Sequence, residues 1–328
     1  MPKPRKALIS LDSTPYYHCI SRCVRRAFLC GEDSLTNKNY EHRKQWVVDR
    51  LTELSSLFAI DIAAFSVLAN HLVLRVDREA VDNWSETELM ERWQQLFSLP
   101  VLVGRYALGE TTTQAEVDTV HQIFSDWRER LCDISWFMRC LNEHLARRAN
   151  KEDNCTGRFW EGRFKSQALL DEAALLTCMG YVDLNPIRAD IAATPEESDY
   201  TSIQQRIREA LNQPTPSENR PLLMPLVKQG DDKHPNAIGF TTIDYLELVD
   251  WAGRTIREGK RGAIPSDIPP ILQRIGLEPD AFVNHLSGHK GRPHPVVLGP
   301  VAKIRAAAKQ LGQRFFKGMG ESRVLYST

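Results

Sequence analysis

From His71 to Asp77 the chain reads HLVLRVD, and the residues alternate. His71, Val73, Arg75 and Asp77 fall on one face; Leu72, Leu74 and Val76 fall on the other. A period of two over six or seven residues specifies a β-strand with one buried side, and a one-residue slip in its pairing would invert both faces. The run before it, IDIAAFSVL at 60–68, reads as another strand, with Asn70 in the turn between the two. The two pair with each other.

The flanking segments extend the pattern. PYYHCISRCV at 15–24 is rich in aromatic and β-branched residues and reads as the first strand, followed by a basic turn with Arg22, Arg25 and Arg26. YEHRKQWVVDRLTELSSLF at 40–58 places Trp46, Val47, Leu51, Leu54 and Phe58 at helical spacing. DISWFMRCLNEHLARRAN at 133–150 is a second helix, with Ile134, Phe137, Met138, Leu141 and Leu145 on one face. RFKSQALL at 163–170 reads as the fourth strand. DEAALLTCMGYVDLN at 171–185 is a third helix, opened by Asp171 as N-cap and ended by the constraint that Pro186 places on Asn185. Its core stripe is expected through Leu169, Ala173, Leu176, Gly180 and Leu184, which rotates Tyr181 off the buried line.

The order is β-α-β-β-α-β, the split βαβ or ferredoxin-like arrangement. The fold class expected is therefore α+β: an antiparallel sheet with helices on one face, plus a helical C-terminal accessory region. An acidic, tryptophan-bearing stretch at about 80–130 reads as a helical insertion, within a first domain of residues 1–205. The proline-rich QPTPSENRPLLMP marks a linker at 206–237, and 238–328 reads as a small helical accessory domain.

The 328 residues carry 42 Lys and Arg against 42 Asp and Glu, but the balance is local. Residues 1–50 hold ten basic against five acidic side chains, and residues 139–165 hold seven against four. Phosphate attraction is decided within roughly 8–10 Å at physiological salt, so a neutral total still permits a nucleic-acid partner. Segregated charge also occurs on plain solvated helix faces. Seven cysteines without a CxxC pair suit reduced thiols better than a zinc site or a disulfide framework. No apolar run approaches the roughly 20 residues of a membrane helix. A cytoplasmic protein with no membrane partner is expected.

Tyr181 and Asn185 stand four residues apart, one above the other on a helix. By spacing alone a helical tyrosine is more often a packing residue. The combination of Asn70-His71 at a strand start, GRFWEGRFKSQ at 157–167 and YVDLNPIRA at 181–189 resembles the REP-associated tyrosine transposases, relatives of the single-tyrosine HUH transposases. The resemblance covers roughly residues 15–205. It implies a ferredoxin-like fold and a tyrosine, here Tyr181, that attacks a DNA phosphodiester to give a 5′-phosphotyrosine and a free 3′-hydroxyl. It also implies a divalent metal ion, Mg²⁺ or Mn²⁺, with His71 and Asn185 among its ligands.

The family's strand reads Asn-His-x-His, and here the sequence departs. Asn70-His71 passes directly into Leu72-Val73-Leu74, so one imidazole is missing and Val73 occupies the adjacent same-face position. His18 on the first strand, or a water, is a candidate substitute. Arg22, Arg25, Arg26, Arg158, Trp160, Arg163, Lys165 and Arg188 are the expected DNA-binding residues, cations for phosphates alternating with aromatic faces for splayed bases. Phe159 and Phe164 between them read equally well as core. The resulting expectation is a transposase-like protein, monomeric or homodimeric, that binds and cleaves single-stranded or hairpin DNA. The rival is a DNA-binding protein that retains hairpin recognition without cleavage. An RNA-binding module on the same sheet is weaker, because the RNP1-type aromatic signature is absent.

Overall fold

The computed structural model describes residues 9, 11, 13–24, 29–33, 37–68, 70–111, 113–211, 222–228, 236–254, 262–266, 270 and 305. Arg25, Arg26, most of the expected linker and nearly all of the basic tail lie outside them. The chain divides into two compact units, one of residues 1–185, 200–202 and 217–225, the other of 186–199, 203–216 and 226–328.

The first unit runs β1 (Tyr16–Ile20), a short ribbon of β2 (Glu32–Asp33) and β3 (Lys38–Asn39), α1 (Arg43–Leu57), β4 (Ile60–Ser66) and β5 (His71–Val76). Four helices follow, α2 (Arg78–Asp82), α3 (Glu86–Gln94), α4 (Val101–Ala107) and α5 (Gln114–Leu131). The unit then continues with α6 (Ile134–Glu152), β6 (Lys165–Ala168) and α7 (Glu172–Asp183). The four long strands form one antiparallel sheet in the order β4-β5-β1-β6. With α1 between β1 and β4, and α6 between β5 and β6, this is the expected split βαβ connectivity. Asn70 closes the β4–β5 turn at a φ of 49°, a left-handed conformation that asparagine tolerates better than other residues with a Cβ.

Alternation divides the sheet chemically. Tyr17, Cys19, Ile60, Ile62, Phe65, Leu72, Leu74 and Val76 join Val47, Leu51 and Leu54 of α1 and Phe137, Met138, Leu141 and Leu145 of α6 in one core. Each such side chain contributes about 1.5–3 kcal/mol of burial, and both helical stripes are those read from the sequence. Arg43, fully buried at the start of α1, pairs with Glu152 at 2.9 Å and Asp153 at 2.5 Å, tying α1 to the end of α6.

The opposite face departs from the expectation of helices on one side. It carries His18, His71 and Val73, and α7 packs over it against β4 and β5. The buried stripe of α7 is also not the expected one: Leu175, Cys178, Met179 and Val182 point inward, while Ala173 is exposed. The reason is that EAALLTCMGYVD is apolar almost all round, so its periodicity does not select a face.

The inserted helices pack through aromatic rings. Trp93 stacks on Trp127 with centroids 4.6 Å apart, and Phe97 and Phe124 flank that pair. Thr113 and Glu116 form a reciprocal capping box at the start of α5.

The second unit includes the short helix α8 (Asn185–Arg188), which begins at the boundary, most of α9 (Ser202–Ala210) and α10 (Thr242–Arg254). Arg188 donates to the carbonyl of Ala252 at 2.5 Å. A Cβ on Gly262 would meet the Ile187 carbonyl at 2.0 Å, so only glycine allows that approach. Among the described residues, no helix is long and apolar enough to cross a membrane.

Candidate functional site

Register explains how the site forms. His18 lies opposite Val73 on β5 and Gln167 on β6, and Ile20 lies opposite His71 and Lys165. Directly opposed residues share a face, and so do diagonal neighbours two positions along. His18 and His71 are such a diagonal pair. His18 Nε2 and His71 Nδ1 are 2.9 Å apart, with ring centroids at 5.0 Å and planes tilted by 27°.

Tyr181 of α7 completes the cluster. Its ring meets His71 edge-on at 5.6 Å and His18 at 6.1 Å. The histidines are buried at 4% and 6% exposure, whereas Tyr181 is 42% exposed. The tyrosine is therefore the side chain of the three that a large substrate reaches first. Burial pushes the His18 pKa below its ordinary value, opposed by a hydrogen bond with Gln167.

Helix α7 is held at both ends. Asp171 caps its start by accepting from the Ala174 amide at 2.6 Å, as the sequence predicts. Near its end Asp183, fully buried, accepts from the Ser202 hydroxyl at 2.5 Å, and that hydroxyl in turn accepts from the Phe65 amide of β4 at 2.9 Å. Two residues after Tyr181, the helix is thus pinned to the sheet beneath the cluster. Asn185 stands one turn past Tyr181, half-buried, where α7 has ended and α8 begins.

Two further polar groups adjoin His71. Asn70 is 2% exposed and Ser66, opposite His71 in the register, is 1% exposed. The side-chain carboxamide of Asn70 and the Ser66 hydroxyl find no hydrogen-bond partner among the described residues. Burying such groups unpaired costs about 1–3 kcal/mol each, which marks the neighbourhood of His71 as built for a polar occupant. Among the described residues no group of three or more His, Cys, Asp or Glu is arranged to hold a metal ion. The two imidazoles instead hydrogen-bond each other, His18 Nε2 with His71 Nδ1, one donating and the other accepting according to tautomer.

The segments that carry most of the expected basic residues adjoin β1 and β6. Arg22, Arg158, Arg163 and Lys165 are all exposed. Their segments are knitted together: Val24 donates to the Phe159 carbonyl at 2.9 Å, Glu161 donates to the Arg22 carbonyl at 2.8 Å, and Cys23 bridges to Trp160. Lys165 shares the His71 face across Ile20. Trp160 is half-buried, its indole donating to the Asn142 carbonyl at 2.8 Å, and Phe159 and Phe164 are core. Arg188 is 7% exposed and engaged with Ala252 inside the second unit.

Sequence reasoning did not single out Gln167, Asp183 or Ser202. Gln167 follows Lys165 at the strand period, which is a usable signal; Asp183 shows only as a carboxylate in an apolar helix. Ser202 is distant in sequence and gave none.

No family model matches the chain, and no curated protein matches it. Among solved structures, that of a REP-associated tyrosine transposase bound to a REP hairpin aligns over 68% of this chain and 99% of its own, with 12% identity and a TM-score of 0.37.

Proposed function

We propose that this protein is a transposase-like enzyme that binds single-stranded or hairpin DNA and cleaves and rejoins it through Tyr181. The observation that carries the reading is the meeting of an exposed tyrosine with two buried imidazoles on one sheet face, with exposed cations on segments that adjoin β1 and β6. It is joined by the resemblance of GRFWEGRFKSQ and YVDLNPIRA to the family described above.

The chemistry follows from the groups present. The Tyr181 oxygen attacks the scissile phosphorus while the bond from phosphorus to the 3′-oxygen breaks. The phenolic proton of the exposed Tyr181 passes to solvent, and the departing 3′-oxygen takes up a proton to become a hydroxyl. Rejoining reverses these transfers. A divalent ion, when bound, withdraws charge from the phosphate oxygens; His71 and Asn185 are the ligands implied by the family pattern. The exposed Arg22, Arg158, Arg163 and Lys165 hold the flanking phosphates, and Asp171 and Asp183 keep the tyrosine helix in place.

The test is a hairpin oligonucleotide with a single-stranded flank, incubated with protein and Mn²⁺. A covalent protein–DNA adduct and a free 3′-hydroxyl product are expected with the native sequence, and neither with Tyr181→Phe. An adduct that persists in Tyr181→Phe overturns the assignment. The change from Asn-His-x-His to Asn-His-Leu-Val favours a second reading, hairpin recognition without cleavage. Tight hairpin binding with no adduct under any divalent ion is its signature.

A further inference from the structure

We infer that the outward face of α6, on the side of the sheet away from Tyr181, is a contact surface for the phosphate backbone of double-stranded DNA. This rests on the reading of the chain as a DNA-binding protein, and it names a second form of DNA held apart from the strand at the tyrosine.

Helix α6 buries Phe137, Met138, Leu141 and Leu145 against the sheet face opposite α7. The periodicity that turns those residues inward turns Trp136, Arg139, Glu143, Arg147 and Lys151 outward, at intervals of three and four residues. The line is about 22 Å long at 1.5 Å per residue, the length of roughly six base pairs. Its cations face water: Arg139 and Arg147 expose 62% and 79% of their side chains, and Arg148 and Lys151 are exposed as well.

Carboxylates leave this face positive. Glu143 is shared between Arg139, at 3.5 Å, and Arg147. Glu152 is taken by His42 and Arg43, both at 2.9 Å, and Asp153 by Arg43. Two further guanidiniums are held by rings instead. Arg130 and Arg139 lie over the Trp136 ring at 4.8 and 5.0 Å, and Arg148 lies over Trp46 of α1 at 4.1 Å. Stacking fixes a guanidinium plane while leaving its N–H edge free, and that edge grips a phosphate. The same contacts occupy the half-buried indoles on which splayed bases would otherwise stack. A duplex, whose bases are turned inward, is therefore the polyanion that fits.

Two neighbouring observations agree. Burial, joined by Arg50 and Arg148 and opposed by Glu53, holds the His144 pKa below its ordinary value, so the positive field is felt within the α1–α6 seam. The chain after α6 also runs back along it, Asn150 donating to the Gly157 carbonyl at 3.0 Å and the Trp160 indole to the Asn142 carbonyl at 2.8 Å. The α6 face thus continues into the segment that carries Arg158.

The experiment is fluorescence anisotropy of the full chain with a labelled blunt-ended DNA duplex that has neither a hairpin loop nor a single-stranded flank. The native protein should bind it. The triple variant Arg139→Ala, Arg147→Ala, Lys151→Ala should raise Kd at least about tenfold at about 50 mM salt, and should lower the magnitude of the salt slope by about 2.7, roughly 0.9 for each lost phosphate contact. Glu143→Gln gives a reading of opposite sign: it releases Arg139 and Arg147 and should tighten duplex binding at least about twofold. No duplex binding by the native protein, a triple-variant Kd within twofold of native, or binding unmoved or weakened in Glu143→Gln overturns the inference. An RNA duplex bound more tightly than the DNA one also overturns it, as does binding to phosphatidylglycerol vesicles that the triple variant loses while keeping the DNA duplex. Failure of the proposed function looks different: the triple variant releases the duplex, yet the native protein forms no adduct with the hairpin.

Discussion

Ser202 donates to Asp183 at 2.5 Å and accepts from Phe65 at 2.9 Å, so one hydroxyl joins the end of α7 to β4. All of this is buried: Asp183 and Ser202 have no exposed surface. A hydrogen bond contributes about 0.5–1.5 kcal/mol net, and removing one buried partner adds the desolvation of the group it leaves, about 1–3 kcal/mol. Asp183→Ala and Ser202→Ala should each lower stability by about 2–3 kcal/mol, with the double variant costing clearly less than the sum. Urea unfolding of the four proteins measures this cycle. Additive losses would mean that the two side chains do not act as a unit.

The pH dependence of stability should report the buried imidazoles. Burial lowers the pKa of His18, and burial with Arg50 and Arg148 lowers that of His144 on α6. An imidazole with a depressed folded-state pKa binds fewer protons than the unfolded chain between that value and about 6.5. Stability therefore falls as pH drops below about 6.5, and levels off once the folded imidazoles protonate as well. Urea midpoints at pH 7.5, 6.5 and 5.5 should decline in that order, and His144→Gln should flatten the decline. A midpoint that rises toward pH 5.5 contradicts the assignment.

Much of the fold was legible because its signals are local. HLVLRVD alternates strictly, and its apolar face is the one that meets α1 and α6. Asp171 and Asn70 carry their turn chemistry in their own side chains. The face of α7 was not legible, because an all-apolar helix gives periodicity nothing to work on. The His18–His71 contact was only half legible: both residues stand out, but their meeting depends on the register between β1 and β5. The sequence does not print that register. Asp183 and Ser202 depend in the same way on the return of the chain at 200–202.

Thiol reactivity should sort by burial. None of the seven cysteines forms a disulfide. Burial raises the Cys178 pKa to about 12 and those of Cys30 and Cys132 to about 11, while Cys23 and Cys155 are half-buried. Since the thiolate is the reactive form, iodoacetamide at pH 8 should label Cys23 and Cys155 first and leave Cys178 unmodified until denaturant is added. Peptide mass mapping over time reads the order. Early labelling of Cys178 would show that α7 opens from the sheet far more readily than its buried contacts imply.

The exposed cations make a quantitative prediction. Arg22, Arg158, Arg163 and Lys165 are exposed on segments that hydrogen-bond to one another, and the proposed function takes all four as phosphate contacts. Each phosphate neutralised on single-stranded DNA contributes roughly −0.7 to the slope of log K against log salt, which gives about −2.8 for four contacts. Fluorescence anisotropy with a labelled hairpin between 50 and 200 mM salt should return a slope at least that steep. Arg158→Ala with Arg163→Ala should reduce its magnitude by about 1.4 and weaken binding at every sequence tested, because phosphate contacts carry no base information. Arg188→Ala should leave the slope unchanged, since that guanidinium is buried against the Ala252 carbonyl. A slope near zero would remove the nucleic-acid partner. A slope changed by Arg188→Ala and untouched at Arg158 and Arg163 would place the DNA on a different surface.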